Sequence, residues 1–444
     1  MGTYSGSLKN TLVYFAGVIV YRIFLDAIYF TILVPLYSYM GFNDYSTNEK
    51  LVLSWLLLFL FYVAGRGIFY SKANVASCMV LYILSLLAFV PFTTCVYAGI
   101  LQSDLIVMFC LYWIVLLFLQ KLLLKMPVSR FPKLKISNHV LDDRVVRTIG
   151  ILSILLVLSI SFVYTGFRLH FNLMDVYGLR LEARAFGMPT ILAYLFSWTK
   201  AVNPILMAYC LVRKKYAVAF LFFFSQLVSF GIDGAKHTFF MSFVVLFIVL
   251  FLKEKFTMVK IKNVILYGFV TLAIVSYAEY LMFNTCTISS IFINRMLFVP
   301  RYLDYCYFDF FLDNEPDYFR SSFLRHLGFV SPYNEWGRGI TFIIGAQYFN
   351  SPAMNCNNGF FSDAITNLGA YGMFIMPVLL VVVLRFFDKC TLNLNRRIVF
   401  TPIIYFALLL NGSFLFSGLL THGILALMLL FSLMKPESYV KSCS

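Results

Sequence analysis

The feature that most constrains this chain is a succession of apolar runs, each of helix-spanning length, from Leu12 to Met434. A hydrocarbon core ~30 Å thick takes ~20 apolar residues as a helix. Within it, every backbone donor and acceptor must be paired inside the segment, which leaves helices or closed barrels. These runs are too long for the ~10-residue alternation of a barrel strand. Charged residues make up 12% of the chain, about half the share in a soluble domain. The expected class is all-α: a polytopic integral membrane protein, one membrane domain over 1–444, with about twelve transmembrane helices. The expected spans are Leu12–Tyr39, Leu51–Val63, Val75–Ala98, Leu105–Leu124, Thr148–Thr165, Met188–Val212, Ala217–Ile232, Thr238–Leu252, Asn263–Phe283, Phe360–Phe387, Ile398–Asn411 and Phe414–Met434. Leu12–Tyr39 is too long and too aromatic for a cleaved leader and reads as a retained first helix.

The net charge of +15 is distributed as the positive-inside rule predicts. With both termini cytoplasmic, 23 of the 35 basic residues fall on the inner side, seven of them in the basic loop 121–147. The basic blocks carry no base-stacking motif, which excludes nucleic acid as a partner. Outside, eight of ten basic residues are arginine, against eight of 23 inside. Topology alone does not require that bias. Arginine offers a planar fork that holds phosphate or carboxylate bidentately.

Two outer loops are long enough to hold a site. The medium loop, 166–187, contains Arg180-Leu181-Glu182-Ala183-Arg184. Arg180 and Arg184 share one helix face and repel unless an anion or Glu182 lies between them. The large loop, 284–359, together with the span entry after it, holds Arg295, Arg301, Arg320, Arg325 and Arg338 and no lysine. Arg295 and Arg301 either reach a ligand phosphate or snorkel to the bilayer's own head groups. Asp313, Glu315 and Asp317, around Pro316, read as an exposed turn. Asn357, Asn358, Asp363 and Asn367 approach or enter the tenth span, with Asp363 and Asn367 on one helix face. Asp363 is the preferred general base, and the amides suit sugar hydroxyls. Gly369 and Gly372 permit close helix packing.

The hairpin Ala217–Leu252 has both ends at basic cytoplasmic clusters. Arms of about 15–16 residues reach ~24 Å, short of a full crossing. Its tip, Phe230 to His237, is therefore expected to floor a polar cavity, with Asp233, Lys236 and His237 on its floor. Arg22 and Asp26 sit at i, i+4 and are expected to satisfy each other. Lys200 lies near mid-span beside Pro204. Of the nine cysteines, Cys286, Cys306 and Cys356 share the large loop, and the sequence leaves any disulfide pairing open. No Cys or His spacing suits a metal.

In order and on one side of the membrane, these features resemble the Wzy-type O-antigen (oligosaccharide repeat unit) polymerases. The likeness rests on the arginine-rich medium and large loops, on Gly231–Lys236, on Asn294-Arg295 followed by Pro300, and on Asn357–Gly372. It implies a GT-C-like glycosyltransferase architecture in a bacterial inner membrane, with the active site facing the periplasm. It implies polymerisation of undecaprenyl-diphosphate-linked oligosaccharide, the same lipid-linked glycan serving as donor and acceptor, with no metal and no cofactor. A chain-length regulator is an expected partner alongside membrane lipids. Arg180, Arg184, Arg295 and Arg301, with Lys236, are then the expected diphosphate ligands. Asp363 or Glu182 is the expected base, and Asn357, Asn358, Asn367 and His237 are the expected sugar contacts. A ligase with the same donor, and a flippase or transporter of the lipid-linked glycan, are the alternatives. A large outer loop and outward arginines argue against transport, which needs sites reachable from both sides.

Overall fold

The computed structural model describes residues 8–70, 75–128, 143–168, 176–252, 257–334 and 339–434. Every regular element among them is helical. Among the described residues, eight helices are long and apolar enough to cross a membrane: Val13–Met40, Ala76–Ala98, Ser103–Lys125, Arg144–Thr165, Thr190–Val212, Tyr216–Asp233, Met258–Phe283 and Phe360–Thr391. The fold therefore defines a multi-pass, membrane-embedded helical protein. The other four expected spans also fold as helix, but in shorter pieces. Asn48–Ala64 and Arg396–Gly412 have 17 residues each, and Lys236–Phe251 has 16. The last expected span is broken into Leu415–Leu420 and Ile424–Leu433.

The chain forms two compact units. Unit 1 comprises Met1–Pro127, Thr257–Arg385 and Ala407–Phe416, and unit 2 comprises Val128–Phe256, Phe386–Phe406 and Ser417–Ser444. Three chain segments contribute to each unit.

Unit 1 is built around Ala76–Ala98, whose apolar window is buried on all sides. Its sequence is apolar all round, which is the pattern of an enclosed helix rather than a lipid-facing one. Phe89 stacks on Phe61 with ring centroids 3.5 Å apart, and Phe92 stacks on Phe109 at 3.9 Å. Three π-helical segments interrupt this unit: Tyr29–Leu33, Ser85–Phe89 and Ser289–Phe298. Each ends directly before a Val-Pro pair, at Val34-Pro35, Val90-Pro91 and Val299-Pro300. Proline lacks an N–H and its ring clashes with the carbonyl one turn back, and a local π widening relieves that clash. Pro204, Pro377 and Pro402 sit inside α-helices without such widening, so proline alone does not impose it. The third π segment, Ser289–Phe298, carries Asn294 and Arg295. Glu279 anchors its start by accepting from Thr287 N at 3.0 Å and Ile288 N at 2.8 Å.

Hydrogen bonds sort the loops of unit 1 to two ends, as the charge pattern predicts. At one end Lys262 donates to Ile68 O at 3.2 Å and Phe69 O at 2.9 Å, Lys121 donates to Ala64 O, and Arg385 donates to Met126 O at 2.8 Å. Each cation thus meets free carbonyls at a helix C-terminus, where the dipole favours positive charge. At the other end Tyr45 N bonds Ala98 O at 2.8 Å, and Gln102 and Tyr348 both donate to Asp309, at 3.1 and 2.7 Å. The buried pair Arg22–Asp26 forms at 2.9 Å, and Arg22 also donates to Thr94 Oγ1 and Thr93 O.

Two glycines in the Asn357–Gly372 stretch are fixed by close approach. A Cβ at Gly359 would lie 2.4 Å from Leu410 O, and one at Gly372 would lie 2.2 Å from Ala364 O. Both obstacles are backbone. Gly359→Ala and Gly372→Ala are each expected to lower stability by ~1–3 kcal/mol, the usual penalty for overpacking. Thermal unfolding in detergent checks this, and an unchanged midpoint for either would show that the backbone yields there.

In unit 2 the hairpin forms from Tyr216–Asp233 and Lys236–Phe251, joined by Gly234 and Ala235. It packs with Thr190–Val212, Asp143–Thr165 and Val176–Ala185. Asn203 accepts from Ser153 Oγ and donates to Ser225 Oγ at 2.8 Å, tying three of these helices through side chains.

Candidate functional site: an arginine pocket in the large loop

The helix Val299–Asp313 carries Arg301 and Asp304 one turn apart on its buried face. Arg301 is 1% exposed and pairs with Asp304 at 2.8 Å. It also donates to Asn411 Oδ1 at 3.0 Å, and its guanidinium lies 5.4 Å from the Phe109 ring centre. Asn358 and Ser362 complete the cluster, each donating to Asp304 Oδ1 at 2.8 Å. Burial pushes the Asp304 carboxyl up to about 6, against the opposing pull of Arg301 and these hydrogen bonds. This geometry corrects two expectations. Arg301 is enclosed by protein and presents no fork to a lipid phosphate. Asn358, fully buried, serves the Arg301–Asp304 pair rather than a sugar.

Asp363 and Asn367 lie one turn apart on the helix Phe360–Leu368, as expected, and each is 1% exposed. Asp363 accepts from Asn367 Nδ2 at 2.7 Å with one oxygen and from Leu415 N at 2.7 Å with the other. A general base must lie within hydrogen-bond reach of the proton it takes. A carboxylate with both oxygens engaged and almost no accessible surface is placed to hold structure instead. Asn367 passes the constraint on, since its Oδ1 accepts from Phe319 N at 3.0 Å. The main chain joins in, with Asp317 N on Thr366 O at 2.7 Å and Tyr318 N on Asn367 O at 3.1 Å.

The stretch Asn357–Gly372 therefore grips residues 317–319 of the large loop. That grip has a conformational consequence. Tyr318 and Phe319 both adopt positive φ, 50° and 63°. For residues of this size such backbone is strained by ~1–3 kcal/mol each and persists only where the surroundings over-determine it. Asp317 is not part of an exposed turn, although Asp313 and Glu315 are exposed. It is fully buried, accepting from Ser321 N at 2.7 Å, Ser321 Oγ at 2.6 Å and Ser331 Oγ.

This rigid turn opens into a pocket of 390 Å³ lined by Arg320, Ser321, Arg325, Ser331 and Asn334, with Phe329 and Val330 at its apolar side. Arg320 is braced by donating to Asp317 O at 2.9 Å and Pro316 O at 3.1 Å. Arg325 is exposed, and its guanidinium makes no hydrogen bond or ion pair with any described residue. Two arginines and an asparagine converging on one concave surface suit an anion with several oxygens. Arg320 and Arg325 belong to the outward arginine excess, whereas the expected phosphate ligands were Arg180, Arg184, Lys236, Arg295 and Arg301. The overlooked signal was Asp317 with Ser321 and Ser331, a carboxylate beside two hydroxyl residues that can lock a loop.

The remaining expected residues lie elsewhere. Arg295 and Asn357 are exposed, and neither lines the pocket. Arg180 and Glu182 are exposed on Val176–Ala185 in unit 2, where Glu182 pairs with Arg168. Asp233 pairs with Lys200, so those two expected intramembrane charges do meet. The side chains of Arg184, Lys236 and His237, and the whole of Arg338, lie outside the described residues. Cys286, Cys306 and Cys356 are free thiols.

Asn367→Ala is expected to destabilise the chain by ~1–3 kcal/mol, because it removes the hydrogen bonds of its side chain to Phe319 N and to the buried Asp363 carboxylate. It should also loosen the pocket. Limited proteolysis would read this as faster cleavage near residues 318–330, and an unchanged rate would show that the main-chain bonds alone suffice.

No family model matches this chain, and no match was found among curated proteins or solved structures.

Proposed function

We propose that this protein is a metal-independent glycosyltransferase that polymerises lipid-diphosphate-linked oligosaccharide repeat units, resembling the Wzy-type O-antigen polymerases. The observation that carries this reading is the pocket. Arg320 and Arg325 stand on a strained turn that two buried polar side chains, Asp317 and Asn367, hold in place. Preorganised cations aimed at developing negative charge are the usual largest contribution to catalysis of this kind. In this reading a sugar hydroxyl of the incoming repeat unit attacks C1 of the growing chain's reducing-end sugar. The C1–O bond to lipid diphosphate breaks, the diphosphate leaves with the electron pair, and the proton of the attacking hydroxyl is released to solvent water. Arg320 and Arg325 neutralise the charge that develops on the diphosphate, which is the electrostatic task a divalent cation performs elsewhere. Asn334 orients the phosphate oxygens or the adjoining sugar, while Ser321 and Ser331 hold Asp317 in place. Asp363 is a positioning residue here, acting through Asn367 on the turn that carries Arg320.

The test uses purified protein, a synthetic lipid-diphosphate repeat unit and a metal chelator, with products sized on a gel. A ladder of products is the expected outcome. A bound but unreacted substrate would overturn the polymerase assignment, and adding a lipid-A acceptor would then test the ligase.

One observation favours the second reading, transport of the lipid-linked glycan. Unit 2 buries Lys200 against Asp233. In the same unit Gln226 Oε1, Ser229 Oγ, Thr238 Oγ1 and Ser242 Oγ are buried with no hydrogen-bond partner among the described residues. Charge and orphaned polar groups inside a membrane bundle commonly mark a pathway. A flipping assay in liposomes, with Lys200→Met beside the unsubstituted chain, discriminates the two. Flipping that Lys200 supports, without any ladder, would favour transport.

A further inference from the structure

The rim of the arginine pocket carries a compact apolar patch that the proposed chemistry does not use. Leu327, Phe329 and Val330 are 71%, 53% and 76% exposed. They are presented together because Gly328, at φ 90°, turns the chain, with Gly328 N on Arg325 O at 3.1 Å and Phe329 N on Leu324 O at 3.2 Å.

The height of this patch follows from the helix Gly372–Thr391. It is free of charge from Gly372 to Leu384, before Arg385. Its exposed side chains Phe374, Ile375, Val378 and Val382 are apolar, as lipid contact requires. The break Gly369–Tyr371 before it, with Tyr371 78% exposed, places this end of the helix at one face of the bilayer, where aromatic residues concentrate. Thr366 and Asn367, a turn before Gly372, are the residues whose carbonyls accept from Asp317 N and Tyr318 N, and Pro316 lies against Gly369. The loop that carries the pocket is thus fastened at the level of that face. Exposed Tyr371 and Tyr318 stand at the same level, where aromatic residues concentrate in membrane proteins. Arg320 and Arg325 supply the positive charge that complements a phosphate layer.

We infer that Leu327, Phe329 and Val330 dip into the interfacial layer of a phospholipid bilayer and set the mouth of the arginine pocket at head-group height. The pocket is then loaded from the membrane, by a molecule whose phosphate already sits in that layer. The surface contact itself stands on the placement of the loop. Only the loading step rests on the reading of Arg320 and Arg325 as phosphate ligands.

The test is fluorescence of the full chain carrying Phe329→Trp, with Val330→Trp as an independent second variant, in phosphatidylcholine–phosphatidylglycerol vesicles. Each replaces one exposed apolar side chain with another. The added emission is taken against the unsubstituted protein, whose four tryptophans give the background. The expected result is a blue-shifted added band that loses most of its intensity when the lipids carry bromine near the head group and is untouched by aqueous iodide. A band at the position of tryptophan in water, quenched by iodide and indifferent to brominated lipid, overturns the inference. No substrate is present, so failure here leaves the gel assay for polymerisation unaffected. Quenching by lipid together with an absent ladder would sink the polymerase reading alone.

Discussion

Arg301→Ala is expected to destabilise the protein by ~3–5 kcal/mol, the penalty for breaking a buried ion pair from one side. The residue is 1% exposed, and Asp304, its partner at 2.8 Å, is equally enclosed. Removing the guanidinium strands that carboxylate in protein and frees Asn411 Oδ1, which accepts from Arg301 at 3.0 Å. It also empties the space beside the Phe109 and Phe360 rings. The paired replacement Arg301→Met with Asp304→Leu is expected to restore most of the loss, because apolar side chains of similar volume commonly match or exceed a buried pair. Thermal unfolding of the three proteins in one detergent measures both effects. An Arg301→Ala protein that melts normally yet no longer binds lipid diphosphate would return Arg301 to the ligand-binding role that its sequence context suggested.

The second large effect is functional. Arg320→Gln and Arg325→Gln are each expected to slow polymer formation by roughly 10²- to 10³-fold, the scale on which single oxyanion-stabilising donors act. Arg325→Gln is the cleaner case. Its guanidinium makes no hydrogen bond or ion pair with any described residue, so its loss should leave the unfolding midpoint where it was. Arg320 also braces the turn through Asp317 O and Pro316 O, so a small loss of stability should accompany its loss of activity. Arg325→Lys retains the charge without the fork and should recover only part of the rate. Normal polymer length and yield from the double Gln variant would remove the pocket from the reaction.

The contrast between Arg301 and Arg325 shows what the one-dimensional pattern could and could not resolve. Both sit in the large loop among aromatic residues, and both belong to the outward arginine excess. Their fates differ because Arg301 meets Asp304 one turn later on a helix that packs against Phe360–Leu368. Arg325 follows a turn locked by Asp317 and ends in open space. The partners that decide this, Asn411 for Arg301 and Ser331 for Asp317, lie 110 and 14 residues away. Asp363 follows the same rule. The i, i+4 spacing to Asn367 was legible, and the two do bond. The contact that closes the second oxygen comes from Leu415 N, 52 residues on.

By itself the sequence determined the class of the fold, the position of most helices and the sorting of the loops of unit 1 to two ends. Those properties follow from local length, hydropathy and charge, because a bilayer imposes the same requirement on every segment that crosses it. Only the tertiary structure decided that the chain packs as two units, that Ala76–Ala98 is enclosed, and which polar residues are buried in pairs. It alone moved the candidate phosphate ligands within the large loop from Arg295 and Arg301 to Arg320 and Arg325. Burial and pairing depend on which distant segments meet, and arginines that look alike in sequence acquire different chemistry from the neighbours that folding gives them.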